Sequence, residues 1–150
     1  MKIKKVNLQT LNTNMTNDID STKYIEFVRQ TTSEASSNYS SLIARLDELG
    51  TLGANVPRLL TFALGASSEL GEAVEIIKKC MLQGKPFDDD AKVHLLKECS
   101  DCFWYFAQLC IAMDTSFEEI MQINYDKLSA RYPEGTFSVY RSENRKDGDL

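Results

Sequence analysis

The amino-acid sequence predicts an all-α fold, and three observations carry that prediction. Apolar residues recur at spacings of three and four along most of the chain, the period of a helix with one buried side. Breakers are sparse, with 7 Gly and 3 Pro in 150 residues, which leaves room for long uninterrupted helices. No segment alternates apolar and polar residues as a half-buried strand would, and no repeat of fixed period is present. The length suits a single domain around one core. The expected layout is an arm over residues 1–20, a helical bundle over 21–131 and an irregular tail over 132–150.

The elements follow in order. Residues 1–20 are rich in Asn and Thr and carry no clear period. A first helix is expected from about Ser21 or Thr22, capped by Asp20 or Ser21, with Tyr24, Phe27, Val28 and Thr31 on one side. The small polar stretch 32–37 reads as a break. A short second helix is expected over 40–48, with Leu42, Ile43 and Leu46 as its apolar side and Gly50 and Gly53 at its end. Pro57 suits the first turn of a long helix, because no amide hydrogen is needed there. That helix is expected to reach about Gln83, where Gly84, Lys85 and Pro86 break it. Asp88–Asp90 suit the positive N-terminus of the next helix, which runs to about Met113. Ser116 with Glu119 forms a capping box for a last helix ending near Arg131, before Tyr132 and Pro133. The polar tail from 134 onward is expected to follow the surface.

Bulk properties bound the partners. Hydrophobic residues make up 43% and charged residues 26%, as in ordinary globular proteins. A net charge of -5 supplies no cationic field for nucleic acid, so no nucleic-acid partner is expected. The longest apolar stretch, residues 102–113, contains Gln108 and is too short to span a bilayer, so no membrane partner is expected. No apolar segment follows the charged start, so no signal peptide is expected. The 4 cysteines are accordingly expected as reduced thiols in a cytoplasm.

Two carboxylate pairs interrupt apolar stripes. On the long helix, Phe62, Ala66, Glu69, Ala73, Ile76 and Cys80 form one line at helical spacing, and Glu72 follows Glu69 by one turn. On the next helix, Ala91, Leu95, Glu98, Cys102, Tyr105 and Leu109 form another, and Asp101 follows Glu98 by one turn. A short connection implies antiparallel packing. Glu69 lies 15 residues before Gly84 and Glu98 lies 14 after it, so their levels coincide. An isolated E-x-x-E is common on helices, but two pairs at matching heights inside apolar stripes are not. Converging carboxylates raise one another's pKa and need a counter-charge. All-oxygen donors suit a hard divalent cation, with Mg²⁺ the usual one and Mn²⁺ the alternative.

The residues that carry this pattern also carry a resemblance. Leu64-Gly65-Ala66-Ser67-Ser68-Glu69-Leu70-Gly71-Glu72-Ala73 resembles the first motif of MazG-type nucleoside triphosphate pyrophosphohydrolases. Lys97-Glu98-Cys99-Ser100-Asp101-Cys102-Phe103-Trp104-Tyr105 resembles the second, in the order E-x-x-E, spacer, E-x-x-D. A third block, Asn124 to Pro133, is similar to the N-x-x-K-x-x-x-R-Y-P ending of that family. The resemblance covers residues 57–137. The Cys99–Ser100 pair departs from the Leu-Gly common in relatives without touching a ligand position. The arm and the tail resemble extensions of phage-encoded relatives, which would place the chain in a host cytoplasm.

The resemblance implies a helical bundle of the MazG and dimeric dUTPase type, assembled as a homodimer or homotetramer. It implies Mg²⁺-dependent hydrolysis of nucleoside or deoxynucleoside triphosphates to the monophosphate and pyrophosphate. By matching position, Glu69, Glu72, Glu98 and Asp101 are the expected metal ligands and catalytic residues. Water would attack the α-phosphorus, and Glu69 or Glu72 would take its proton. Lys79, on the face of Glu72, is a candidate phosphate contact or a surface cation. Asn124, Lys127 and Arg131 are candidate phosphate contacts through the third block. Tyr105, one turn past Asp101, is a candidate for sugar or base.

Other residues divide between packing and site. Trp104 is expected in the core. Tyr24 and Phe27 suit either the core or a base pocket. His94, the sole histidine, sits one turn before Glu98 and suits either the site or the helix surface. Gly65 and Gly71 are expected to permit close helix approach. Cys99 and Cys102 form C-x-x-C within a helix, without the loop of ordinary zinc sites, and read as small buried hydrophobes. A di-iron bundle would need Glu-x-x-His motifs that this chain lacks. The remaining rival is a non-catalytic helical module for oligomerisation or partner binding.

Overall fold

The computed structural model describes residues 20–144, and every regular element among them is a helix. Residues 1–19 of the expected arm and 145–150 of the expected tail lie outside the described residues. In chain order the helices are α1 (Ser21–Thr31), α2 (Glu34–Ser37), α3 (Tyr39–Thr51), α4 (Val56–Leu82), α5 (Asp89–Met113), α6 (Phe117–Arg131) and α7 (Val139–Glu143). The chain divides between Asp47 and Glu48, within α3, into two compact units.

In the first unit, α1 begins where expected. The Asp20 carboxylate accepts a hydrogen bond of 2.9 Å from the Thr22 amide, satisfying a donor that the first helical turn leaves free. Tyr24, Phe27 and Val28 lie along one side of α1, and all three are exposed. The stretch 32–37 differs from expectation: it is a break that contains one helical turn, α2. The Ser37 hydroxyl donates to the Ser33 carbonyl within that turn.

The second unit is organised by α4 and α5. Asn55 caps α4 by accepting from the Arg58 amide, and Pro57 sits in the first turn. The chain leaves α4 through Gly84 at φ 70°, a left-handed conformation that only glycine adopts without strain. Asp88 then caps α5 by accepting from the Ala91 amide at 3.0 Å, with Asp89 and Asp90 in the first turn. Three cross-pairings fix α4 and α5 as antiparallel: Arg58 with Gln108, Phe62 with Phe106, and Gly65 with Tyr105; at the turn between them the Cys80 thiol donates to the Pro86 carbonyl. The Phe62 and Phe106 rings meet edge to face at 5.2 Å. Tyr105 fills the space that a side chain at residue 65 would need, so Gly65 allows the helices to approach. Gly71 has no such neighbour, and its expected packing role is not seen.

The two predicted stripes face this interface. Every member of both lines is buried or half-buried. The burial is confined to these stripes, and large apolar side chains on other faces of both helices, such as Leu64, Leu70, Leu96 and Phe103, are exposed. Among the described residues only Ala73, Glu98 and Cys110 are buried. Trp104, expected in the core, is 56% exposed, with its ring 5.0 Å from that of Tyr105. Cys99, expected as a buried hydrophobe, is exposed, and all four cysteines are free thiols.

The capping box of α6 forms as expected: Ser116 Oγ accepts from the Glu119 amide at 3.1 Å, and the Glu119 carboxylate accepts from the Ser116 amide at 3.2 Å. Phe117 at its start approaches Phe103 of α5, with ring centroids 6.2 Å apart. α4 and α5 are the only described helices with an extended mutual interface, so α6 does not lie along either of them. The tail is not wholly irregular. Residues 139–143 form α7, capped by Ser138 accepting from the Arg141 amide, and Arg141 pairs with Glu134. Five residues are too few to show a helical period, which hid this turn from sequence. No described helix is long and apolar enough to cross a membrane.

Candidate metal centre

The carboxylates converge at the middle of the α4–α5 interface. Glu69, Glu72 and Glu98 each place one oxygen so that the three oxygens lie within 4.8 Å of one another. Glu69 and Glu72 are one turn apart on α4, and Glu98 reaches them from α5. The antiparallel register brings the two levels together, as the spacing about Gly84 predicts.

Burial differs among them. Glu98 is 8% exposed, Glu69 is half-buried and Glu72 is exposed. The site therefore opens to solvent on the Glu72 side. Partial burial first, and then the charges of Glu72, Asp101 and Glu98 together with a hydrogen bond to Glu98, push the Glu69 carboxyl above the usual glutamate range.

Asp101 stands outside this tight group. It is exposed, on the solvent edge of α5, yet near enough for its charge to raise Glu69. His94 joins from the other direction: its Nε2 lies 2.9 Å from Glu98 Oε1, while its side chain is 62% exposed. It is at once a surface residue and a neighbour of the site. The Cys102 thiol is pushed up, by burial first and then by Cys99, Glu69 and Asp101. The carboxylate field thus reaches across the helix pair.

The donor set fits a hard divalent cation. All three converging atoms are carboxylate oxygens from two packed helices, and the repulsion that adds to burial in raising Glu69 is what such an ion would relieve.

The other expected site residues are distributed as follows. Lys79, ten residues past Glu69 in the last turns of α4, pairs with Glu75 at 3.3 Å. Tyr105 is held against Gly65, on the site's α4 side, and is half-buried. Asn124 lines a pocket formed by α6 and the following turn, together with Tyr125, Ser129, Tyr132 and Phe137. Lys127 and Arg131, on the same helix, are half-buried. Because α6 does not run along α4 or α5, the structure does not bring Asn124, Lys127 and Arg131 to the carboxylates within one chain. Tyr24 and Phe27 belong to the first unit and are exposed there. Sequence reasoning missed a cavity at the α4–α5 turn whose lining includes Lys79, Lys85 and His94; Lys85 sits beside the helix-breaking Gly84 and reads there as part of the break.

Comparison of the chain with protein-family models, with curated proteins and with solved structures found no match.

Proposed function

We propose that the chain is a Mg²⁺-dependent nucleoside triphosphate pyrophosphohydrolase with a bundle of the MazG type. The observation that carries the reading is the meeting of Glu69, Glu72 and Glu98 oxygens within 4.8 Å across two helices. The three sequence blocks that resemble this family add the reaction class.

In this reading Glu69, Glu72 and Glu98 hold the ion, and Asp101 adds negative charge at the exposed edge. Bound Mg²⁺ would polarise the phosphoryl oxygens and a water molecule. Water attacks the α-phosphorus, a P–O bond forms, and the bond to the β-phosphate oxygen breaks to release pyrophosphate. The proton of the water passes to a carboxylate of the group that is not fully used in holding the ion, Glu69 or Glu72. His94 holds the Glu98 carboxylate in position through its 2.9 Å contact.

The assembly in this reading is a homodimer or homotetramer in the cytoplasm. Leu64 is 71% exposed, Leu70 60%, Leu96 68% and Phe103 65%, so both helices of the central pair present open apolar faces. Each large apolar side chain left in water forgoes about 1.5–3 kcal/mol. A second copy covering these faces would complete the core, and would supply the α6 residues Asn124, Lys127 and Arg131 to a neighbouring site.

The same open faces favour a second reading, a non-catalytic module that oligomerises or binds a partner. Pyrophosphate release from a panel of nucleoside and deoxynucleoside triphosphates, with Mg²⁺ and with EDTA, separates the two. Mg²⁺-dependent release with the matching monophosphate supports the enzyme and reveals its base preference. Absence of release across the panel favours the module.

A further inference from the structure

A second concave site lies beside the carboxylates, at the turn between α4 and α5. It is a cavity of about 260 Å³ whose walls include Ile76, Lys79 and Cys80 of α4, Lys85 of the turn, and Asp88 and His94 at the start of α5. Its charge is opposite to that of the metal centre: two lysines face one carboxylate, and that carboxylate is engaged in capping the Ala91 amide. The wall is shared with the metal centre, since His94 lines the cavity and touches Glu98 at 2.9 Å.

The lysines are available to a ligand. Glu75, the partner of Lys79, is also paired with Lys78, which does not line the cavity. Lys79 can turn to an anion while Lys78 keeps Glu75 neutralised. Lys85 has no side-chain ion pair among the described residues, and the turn fixes its position by an amide hydrogen bond of 3.2 Å to the Lys79 carbonyl. Lys79 lies seven residues past Glu72, about 10 Å along the helix axis. An extended anion with one end at the carboxylates would therefore reach the cavity with the other.

We propose that this basic cavity seats the β- and γ-phosphates, the half of the substrate that leaves as pyrophosphate. The proposal rests on the pyrophosphohydrolase reading for its substrate. Lys79 and Lys85 form charge-assisted hydrogen bonds to the terminal phosphate oxygens. Specificity for a triphosphate over a monophosphate then comes from the cavity, because only the longer chain spans both sites.

The test is calorimetric binding of inorganic pyrophosphate, with Mg²⁺ present, to the full chain and to Lys79→Gln, Lys85→Gln, the double variant, Lys85→Arg and Lys97→Gln. Lys97 is an exposed lysine of α5 outside the cavity. The expected result is a loss of about tenfold for each Gln substitution in the cavity. The double variant should lose about a hundredfold, Lys85→Arg should stay near wild type, and Lys97→Gln should be unchanged. Failure of the wild-type chain to bind pyrophosphate overturns the proposal, as does unchanged binding in the double variant or an equal loss in Lys97→Gln. The triphosphate panel is run on the same proteins. Turnover with unchanged kcat/KM in the double variant overturns the cavity and leaves the hydrolase standing. Lysine-dependent binding without turnover supports the cavity as an oligophosphate site and overturns the hydrolase.

Discussion

Glu69 of α4 and Glu98 of α5 bring carboxylate oxygens within 4.8 Å of each other across the helix interface, and the Glu69 carboxyl is raised by its partial burial first and then by its acidic neighbours Glu72, Asp101 and Glu98. Two carboxyl groups at this separation repel each other when both are ionised, which favours a proton or a cation at the site. The pair therefore links the fold to the proposed chemistry, since the register that packs the two stripes also sets the charge state of the site.

Replacing the buried member tests that link. Glu98→Gln keeps the shape and the hydrogen bonding but removes a charge. Far-UV circular dichroism is expected to stay helical while Mg²⁺-dependent turnover falls by about a hundredfold or more. Full activity in this variant would remove Glu98 from the site.

Cation binding should stabilise the folded chain. At neutral pH, saturating Mg²⁺ adds about 2.7 kcal/mol when present at a hundred times its dissociation constant, provided the unfolded chain does not bind it. Thermal melts are expected to shift upward by several degrees with Mg²⁺. The shift should vanish in a variant carrying Glu69→Gln, Glu72→Gln and Glu98→Gln. An undiminished shift there would place the ion elsewhere.

Two glutamates should titrate on opposite sides of the ordinary value. Glu69 is raised, so its contribution to stability is fully present below the unfolded-state pKa and is lost as pH rises through the folded-state value. Glu119 is lowered, first by the hydrogen bond from Thr115 and then by the Ser116 amide. Its contribution is present above the unfolded-state pKa and is lost as pH falls through the folded-state value. Carbon-detected NMR titration of the metal-free chain should resolve both directions, and added Mg²⁺ should lower Glu69 alone. A Glu69 carboxyl that titrates at or below the ordinary value would contradict the convergence of charges.

The Gly65–Tyr105 contact predicts a change of sign. Gly65→Ala gains about 1 kcal/mol of helix propensity, but the new methyl group meets the Tyr105 ring. Overpacking costs about 1–3 kcal/mol. Urea unfolding should show Gly65→Ala as destabilising with Tyr105 present and as stabilising in a Tyr105→Ala background. Equal effects in both backgrounds would mean that the ring does not occupy that space.

Sedimentation velocity tests the proposed assembly. A species of twice or four times the 17.0 kDa chain mass is expected. A monomer at micromolar concentration would leave the open apolar faces of α4 and α5 to another partner.

The longer helices, the caps at Asp20 and Ser116 and the inward stripes were legible in the sequence, because each depends on neighbours within about one turn, whereas the short helices α2 and α7 were not. Asp20 and Ser116 satisfy amides two or three residues away, and the line from Phe62 to Cys80 follows from helical spacing alone. Matching Glu69 to Glu98 needed only the position of Gly84 between them. The tertiary structure decided what spacing does not encode. Trp104 lies outside the α4–α5 interface and stays 56% exposed, with the Tyr105 ring as its aromatic neighbour. Asp101 shares the level of its pair but points to the exposed edge, so three carboxylates form the tight group. The cavity lined by Lys79, Lys85 and His94 exists because the turn at Gly84 folds a lysine back over the helix ends. Sequence by itself determined periodicity and register, which are properties of one helix or one hairpin. Which faces stay open, and which charges then meet, depends on distances between segments that only the packed helices set.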